Sequence, residues 1–278
     1  MEILISNDSY LGPVIDVTEH KKRIQELRTF AALLEAGFGL IVNNAQREDL
    51  LSSTHHTVIE FNGNVSDLKI AFNHEAPSVI IDNIQAPVMF PEWLLDFGEM
   101  NKENVAGFIG IQDTNRIKYF LTNLPVKSLF WKNILASLSK VFCIKRGRVT
   151  AFFLNVISKR VFTKEVSINW STAGRQQCNK LQDIEYFRKL SSFKIAICPI
   201  GDCPWSYRLL EAVLVGAIPM TENDVLAKRL ELYVVSDLSE MDVDASILEN
   251  NKKKVMSAVF KKSELRALAE KISSKDNK

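Results

Sequence analysis

Short apolar runs rich in Val, Ile and Phe alternate with stretches of helical period through most of this 278-residue chain. Strands joined through helices pair in parallel, so the alternation points to an α/β fold, a parallel sheet covered by helices. Nearly half of the residues are apolar, enough to bury the core of one large domain or two small ones. Lysine and arginine exceed aspartate and glutamate by only two, which sets up no global field of the kind that draws nucleic acid. Met1 to Ser6 read as a strand without the basic and long apolar regions of a secretory leader. No apolar run approaches the roughly 20 residues that span a bilayer. A cytoplasmic location without a transmembrane segment is therefore expected. Cys143, Cys178, Cys198 and Cys203 are not paired as C-x-x-C and the histidines are scattered, so no metal site is expected.

Along the chain, Glu2 to Ser6 is a candidate strand, and Thr18 can cap a helix with Ile24, Leu27, Phe30, Ala31 and Leu34 on one face. Gly37 ends that helix, and Phe38 to Val42 follows as a strand. Glu48 to Leu51 sits in a short helix, and Thr57 to Phe61, Leu68 to Phe72 and Ser78 to Ile81 read as strands, so the lobe looks doubly wound. Prolines, a glycine and polar residues between Pro87 and Asn104 place a boundary near residue 100. Residues 1–100 form a first lobe and residues 101–278 a second, ending in a long closing helix over Asn250 to Ile272. In the second lobe, Val105 to Ile109, Val141 to Ile144, Val149 to Val156, Phe193 to Cys198 and Ala217 to Met220 are the predicted strands. Helices are predicted at Asn115 to Leu121, Lys127 to Leu138, Asp183 to Leu190 and Pro204 to Val215.

The densest chemistry lies in Phe193 to Asp224, FKIAICPIGDCPWSYRLLEAVLVGAIPMTEND. A strand delivers the chain to a loop containing Pro199 and Gly201, and Pro204 suits the first turn of a helix. The amides and dipole of such a helix face an anion, with Ser206, Tyr207 and Arg208 in its first turns. Glu211, three residues beyond Arg208, can accept the two hydroxyls of a ribose. The same two side chains would also make an ordinary surface pair on an amphipathic helix.

The segment resembles the C-terminal lobe of exostosin-like glycosyltransferases, which carry a strand, P-x-G, a serine, R-L-x-E-A, and G-x-I-P-V with an acidic residue after it. The matching residues are Pro199, Gly201, Ser206, Arg208, Leu209, Glu211, Ala212, Gly216, Ile218 and Pro219, with Met220 in place of valine. Beyond these thirty or so residues the similarity is vaguer. The resemblance implies two Rossmann-like lobes of GT-B type with a cleft between them. It also implies inverting, metal-independent transfer from a nucleoside diphosphate sugar, a UDP-sugar first among them, to a glycan or glycolipid acceptor. Arg208 would meet the diphosphate and Glu211 the ribose.

Two further stretches fit this expectation. VAGFIGIQDTNR ends a strand at Gly110, where backbone can approach a phosphate, and offers Arg116 as a second positive charge; a tight turn beside a solvated arginine reads equally from these letters. AFNHEAPSV is similar to the E-P-P or E-S-P element of exostosin-like and fucosyltransferase first lobes and suggests Glu75 as catalytic base, with His74 next; a polar surface loop is the alternative. Asp242 and Asp244 form a D-x-D late in the chain, read as a turn or cap rather than a metal site. Lys145, Arg146, Arg148 and the lysines at 252–254 and 261–262 are either solvated faces or a peripheral contact with an anionic surface. A non-catalytic nucleotide-sugar-binding protein, or a transferase acting on DNA or protein, remains the competing expectation. Neither a Walker A sequence nor G-x-G-x-x-G is present, against kinase or dinucleotide redox chemistry.

Overall fold

The computed structural model describes residues 1–276 except 8, 21–23, 52–55, 74–77, 82–83, 87–89, 91, 99–101, 112, 145–146, 172–183, 201–204, 223, 241–243 and 260. The architecture is mixed α/β, and the chain divides into two compact units. One comprises Met1–Trp93, Lys180–Gln182 and Met256–Lys278, the other Leu94–Asn179 and Asp183–Val255.

The first unit holds β1 (Glu2–Ser6), β2 (Val14–Asp16), α1 (Ile24–Ala36), β3 (Gly39–Ile41), α2 (Asn44–Leu50) and β4 (His56–Glu60). β2, α1 and β3 make a parallel crossover unit. Gly37 closes α1 at φ +107°, with its N–H on the Leu34 carbonyl and that of Phe38 on Leu33. Thr18 donates its N–H and hydroxyl to Asp16, in a turn ahead of α1, and residues 21–23, which a cap by Thr18 would involve, lie outside the described residues. Asn43 and Gln46 cap α2 reciprocally.

The sheet order is β2-β3-β1-β4, and β1 runs antiparallel to both of its neighbours. β5 (Ile70–Asn73), β6 (Ser78–Ile81) and β7 (Ile84–Ala86) form a separate antiparallel meander. The sequence expectation of a doubly wound first lobe is corrected by these pairings. Links of a few residues between β5, β6 and β7 are too short for a crossover helix and permit only antiparallel pairing.

The second unit contains β8 (Glu103–Ile111), α3 (Thr114–Asn123), α4 (Leu129–Ile144), α5 (Arg148–Val161), β9 (Val166–Ser171), α6 (Ile184–Ser192) and β10 (Phe193–Ile197). α7 (Tyr207–Leu214), β11 (Ile218–Met220), α8 (Val225–Arg229) and the start of α9 (Ala245–Ala258) follow. Its sheet is parallel throughout, in the order β11-β10-β8-β9. Phe108, Phe120, Trp170, Ile195 and Leu154 lie at the centre of its core. Val141 to Ile144 and Val149 to Val156, expected as strands, are instead the end of α4 and most of α5. Ala151, Leu154, Ile157, Ser158 and Val161 are the buried side of α5, a helical spacing that outweighs the β-branched and aromatic content. The strand beside β8 is β9, which follows α5.

Lys102 binds two helix ends together, donating from Nζ to the carbonyls of Ser191 (2.7 Å) and Val215 (3.3 Å), at the C-termini of α6 and α7. Burial lowers its ammonium to about 8. The unfolded chain holds this proton up to the ordinary lysine value near 10.5, so between about 8 and 10.5 it binds more protons than the folded chain. This group's contribution to stability therefore rises with pH across that window and stays level, at its lowest, below about 8. Denaturant midpoints measured from pH 7.5 to 10.5 are expected to show a rising term in wild type that is missing from Lys102→Met.

The long helix expected over Asn250 to Ile272 is two helices, α9 and α10 (Lys262–Asp276). α10 packs on α1 and adds Leu265 and Ala269 to the core of Phe30, Leu33 and Phe38. Glu35 at the end of α1 accepts the Glu92 N–H at 2.7 Å, and the Glu92 carboxylate accepts the Lys262 N–H at 3.1 Å. A relay of two caps thus fixes where α10 begins.

Candidate functional site

The parallel sheet of the second unit changes direction once. From β8 the chain passes to β9 on one side, then returns to β10 on the other. Neighbouring strands β8 and β10 thus lead their connections to opposite sides, which opens a crevice at their carboxyl ends, where ligands of open α/β sheets bind. β8 ends at Ile111, and Asp113 starts α3 by accepting the N–H groups of Asn115 and Arg116. β10 ends at Ile197, followed by buried Cys198 and Pro199. α7 begins after Ser206, at the same edge of the sheet.

Two arginines far apart in sequence meet here. The Arg208 guanidinium lies 4.5 Å from the centroid of the Phe108 ring, and that of Arg116 lies 6.0 Å from it. Arg208 is only 7% exposed, and its Nε has no hydrogen-bond partner among the described residues. A buried cation that rests on an aromatic face and has no bonded anion among the described residues is costly, and an incoming anion relieves that cost. Gly110 explains how the side chain fits: a Cβ there would stand 2.7 Å from Arg208 Nη2 and 2.7 Å from Phe108 Cζ. The Gly110, Arg116 and Arg208 singled out in the sequence are thus one cluster, with Phe108 as the platform that sequence reasoning did not identify.

Tyr119 and Thr221 were also not identified from sequence. Both hydroxyls are buried and unpartnered among the described residues. Burial, then the charges of Glu222 and of Cys198, hold the Tyr119 phenol well above the ordinary tyrosine value, so it stays a neutral donor. Asp224 fixes the rim. Its Oδ1 accepts from Leu226 and Ala227 to start α8, while Oδ2 accepts the Ser206 N–H at 2.9 Å, joining the starts of α7 and α8. Burial pushes its carboxyl above the usual range although all three amides pull it down. The Ser206 hydroxyl makes no capping bond.

Glu211, for which a ribose contact was expected, lies inside the unit. It is 0% exposed, and its Oε2 accepts the Tyr186 hydroxyl at 3.1 Å, an interaction between α7 and α6 inside the unit. Tyr207 is buried with its ring 5.9 Å from that of Trp205. Gly216 ends α7 at φ +76°, and the Ala217 N–H reaches back to the Ala212 carbonyl. Gly201 and Pro204, together with His74, Glu75 and Asp242, lie outside the described residues. Asp244 accepts the Ser246 N–H at the start of α9, a helix cap.

Comparison with known proteins adds one finding. The chain is 30% identical over 115 residues to a probable glucuronosyltransferase of rice, Oryza sativa subsp. japonica. That stretch is 40% of this chain and 26% of the rice protein. No family model matches. Among the described residues no helix is long and apolar enough to cross a membrane.

Proposed function

We propose that this chain transfers a sugar from a nucleoside diphosphate sugar, a UDP-sugar foremost, to a hydroxyl of a glycan or glycolipid, with inversion and without a metal ion. The exostosin-like motif around Arg208 and the partial similarity to a glucuronosyltransferase both favour this reading. The observation that carries it is the convergence of Arg208 and Arg116 on Phe108 at the carboxyl ends of β8 and β10. A diphosphate supplies an anion that Arg208 does not have among the described residues, with the planar fork of the guanidinium matched to phosphate oxygens.

In the reaction the acceptor oxygen attacks the anomeric carbon from the face opposite the diphosphate. A new C–O bond forms as the bond to the phosphate oxygen breaks, and the acceptor proton passes to a base. Glu75 is the proposed base, with His74 beside it in sequence. The charge gathering on the leaving diphosphate is greatest in the transition state, where Arg208 and Arg116 stabilise it most. Tyr119 and Thr221 offer neutral hydroxyls at the same edge.

Calorimetric titration of the chain with UDP, other nucleoside diphosphates and their sugars, with and without chelator, tests the proposal. UDP and UDP-sugars are expected to bind equally well in both conditions. No binding of any nucleoside diphosphate would sink it. Binding without transfer to any of a panel of acceptors would leave a nucleotide-sugar-binding protein instead. Glu75→Gln is expected to keep donor binding and to slow transfer on the order of a hundredfold. Undiminished transfer would remove Glu75 from the mechanism.

A further inference from the structure

The second unit carries an exposed apolar and basic surface on α4 and α5. α4 and α5 are consecutive helices that pack together, and their ends show an antiparallel hairpin. Arg160, near the end of α5, lies with its guanidinium 5.2 Å from the ring centroid of Trp131 at the start of α4, and the Lys127 N–H donates to the Val161 carbonyl at 2.8 Å. α5 turns Ala151, Leu154, Ile157 and Val161 inward beside β9. The opposite side presents Val149, Phe152, Phe153 and Val156 to solvent, spaced so that all four share one face. Phe152 is 65% exposed and Phe130, at the start of α4, 68%. Phe130 and Val141 are eleven residues apart, three turns, and both exposed, so α4 also has an apolar outer side.

The charge around these residues is one-sided. From Lys127 to Lys164 the sequence has nine lysines and arginines and no aspartate or glutamate. The whole chain is only +2, so everything outside the hairpin is net acidic. Exposed Arg148, Lys159 and Arg160 adjoin the apolar positions of α5.

We infer that the α4–α5 hairpin docks on an anionic lipid surface, with Phe130, Phe152 and Phe153 entering the headgroup and acyl boundary while the lysines and arginines meet the lipid phosphates. Helices with an apolar face and a basic surround bind in this way, their affinity the sum of buried apolar area and attraction to anionic lipid. A second copy of this chain is a poorer occupant, because a two-fold contact through this face sets its cations against each other. Nucleic acid would satisfy the cations and leave the phenylalanine and valine side chains in water.

The test uses the full chain and co-sedimentation with phosphatidylcholine vesicles, with and without phosphatidylglycerol. Binding needs no turnover, so its outcome is independent of the sugar-transfer proposal. At least tenfold stronger binding to the phosphatidylglycerol vesicles is expected, weakening as salt is raised. Phe152→Ser with Phe153→Ser, at solvent-facing positions, should keep the circular dichroism spectrum and lower vesicle binding at least tenfold. Arg148→Glu with Lys159→Glu should erase the preference for the anionic vesicles. Equal binding to both vesicle types, or full binding by the double serine variant, would overturn the inference. So would self-association through this face, or duplex DNA binding, in a chain that ignores vesicles. Should the serine variant unfold, the lipid and salt dependence of the wild-type chain decides alone.

Discussion

Arg208→Met is expected to leave the chain at least as stable as wild type while lowering sugar transfer on the order of a thousandfold. The two halves of this result have one cause. Arg208 is buried, its Nε has no hydrogen-bond partner among the described residues, and its guanidinium rests on the Phe108 ring. Replacing a buried charge by an apolar side chain of similar length is often neutral or stabilising. Methionine can still cover Phe108, so thermal unfolding of the free protein should hold or shift upward. Binding of UDP should weaken at least tenfold, since a charge-assisted contact to phosphate contributes about 1.5–3 kcal/mol. Arg208→Lys should fall between the two, keeping the charge but losing the planar fork and the stacking. Calorimetry and a transfer assay on the same preparations separate the effects. If Arg208→Met bound UDP as tightly as wild type, the diphosphate would have to sit elsewhere.

Gly107→Ala should be the most damaging single methyl group in the second unit. Gly107 lies in β8, and a Cβ there would land among the ring atoms of Phe193, a side chain with no solvent exposure on the neighbouring β10. The pairing of β8 with β10 shifts register between Phe193 and Ile195, and this irregularity accompanies the close approach of ring and glycine. Inserting carbon into a filled core costs about 1–3 kcal/mol and occasionally more, and the ring here has no exposed side to retreat to. A loss of about 3 kcal/mol in denaturant unfolding is expected. Phe193→Val should cost stability alone yet recover part of the loss when combined with Gly107→Ala, a coupling of direct neighbours. Simple addition of the two losses would show that ring and glycine do not meet.

Three strands of the second unit's sheet, β8, β10 and β11, were legible because they are apolar runs closed by glycine, proline or polar turns, whereas β9 went unpredicted. Arg208, Gly110 and Arg116 could be named in advance because strand ends and helix starts of a parallel sheet collect at one edge. Phe108 could not, since one aromatic residue within an apolar strand looks like any core residue until two guanidiniums are found over it. Tyr119 and Thr221 were hidden for the same reason: their meaning comes from convergence. Tyr186, which occupies Glu211, lies in a preceding helix at no telling spacing. The errors over Val141 to Ile144 and Val149 to Val156 followed residue type where spacing carried the better signal. The antiparallel run of β1 beside β3 and β4 depends on partners distant in sequence, which no local pattern records.

The placement of α10 sets an order on biosynthesis. Leu265 and Ala269, which close the core of α1, are translated more than two hundred residues after it. At roughly 5–20 residues per second that is a wait on the order of ten seconds or more, with an apolar stripe uncovered and open to chaperones. The unit that holds α1 is therefore completed only after the whole sheet of the second unit has been translated, and a nascent chain stalled before Lys262 would lack Leu265 and Ala269 from that core.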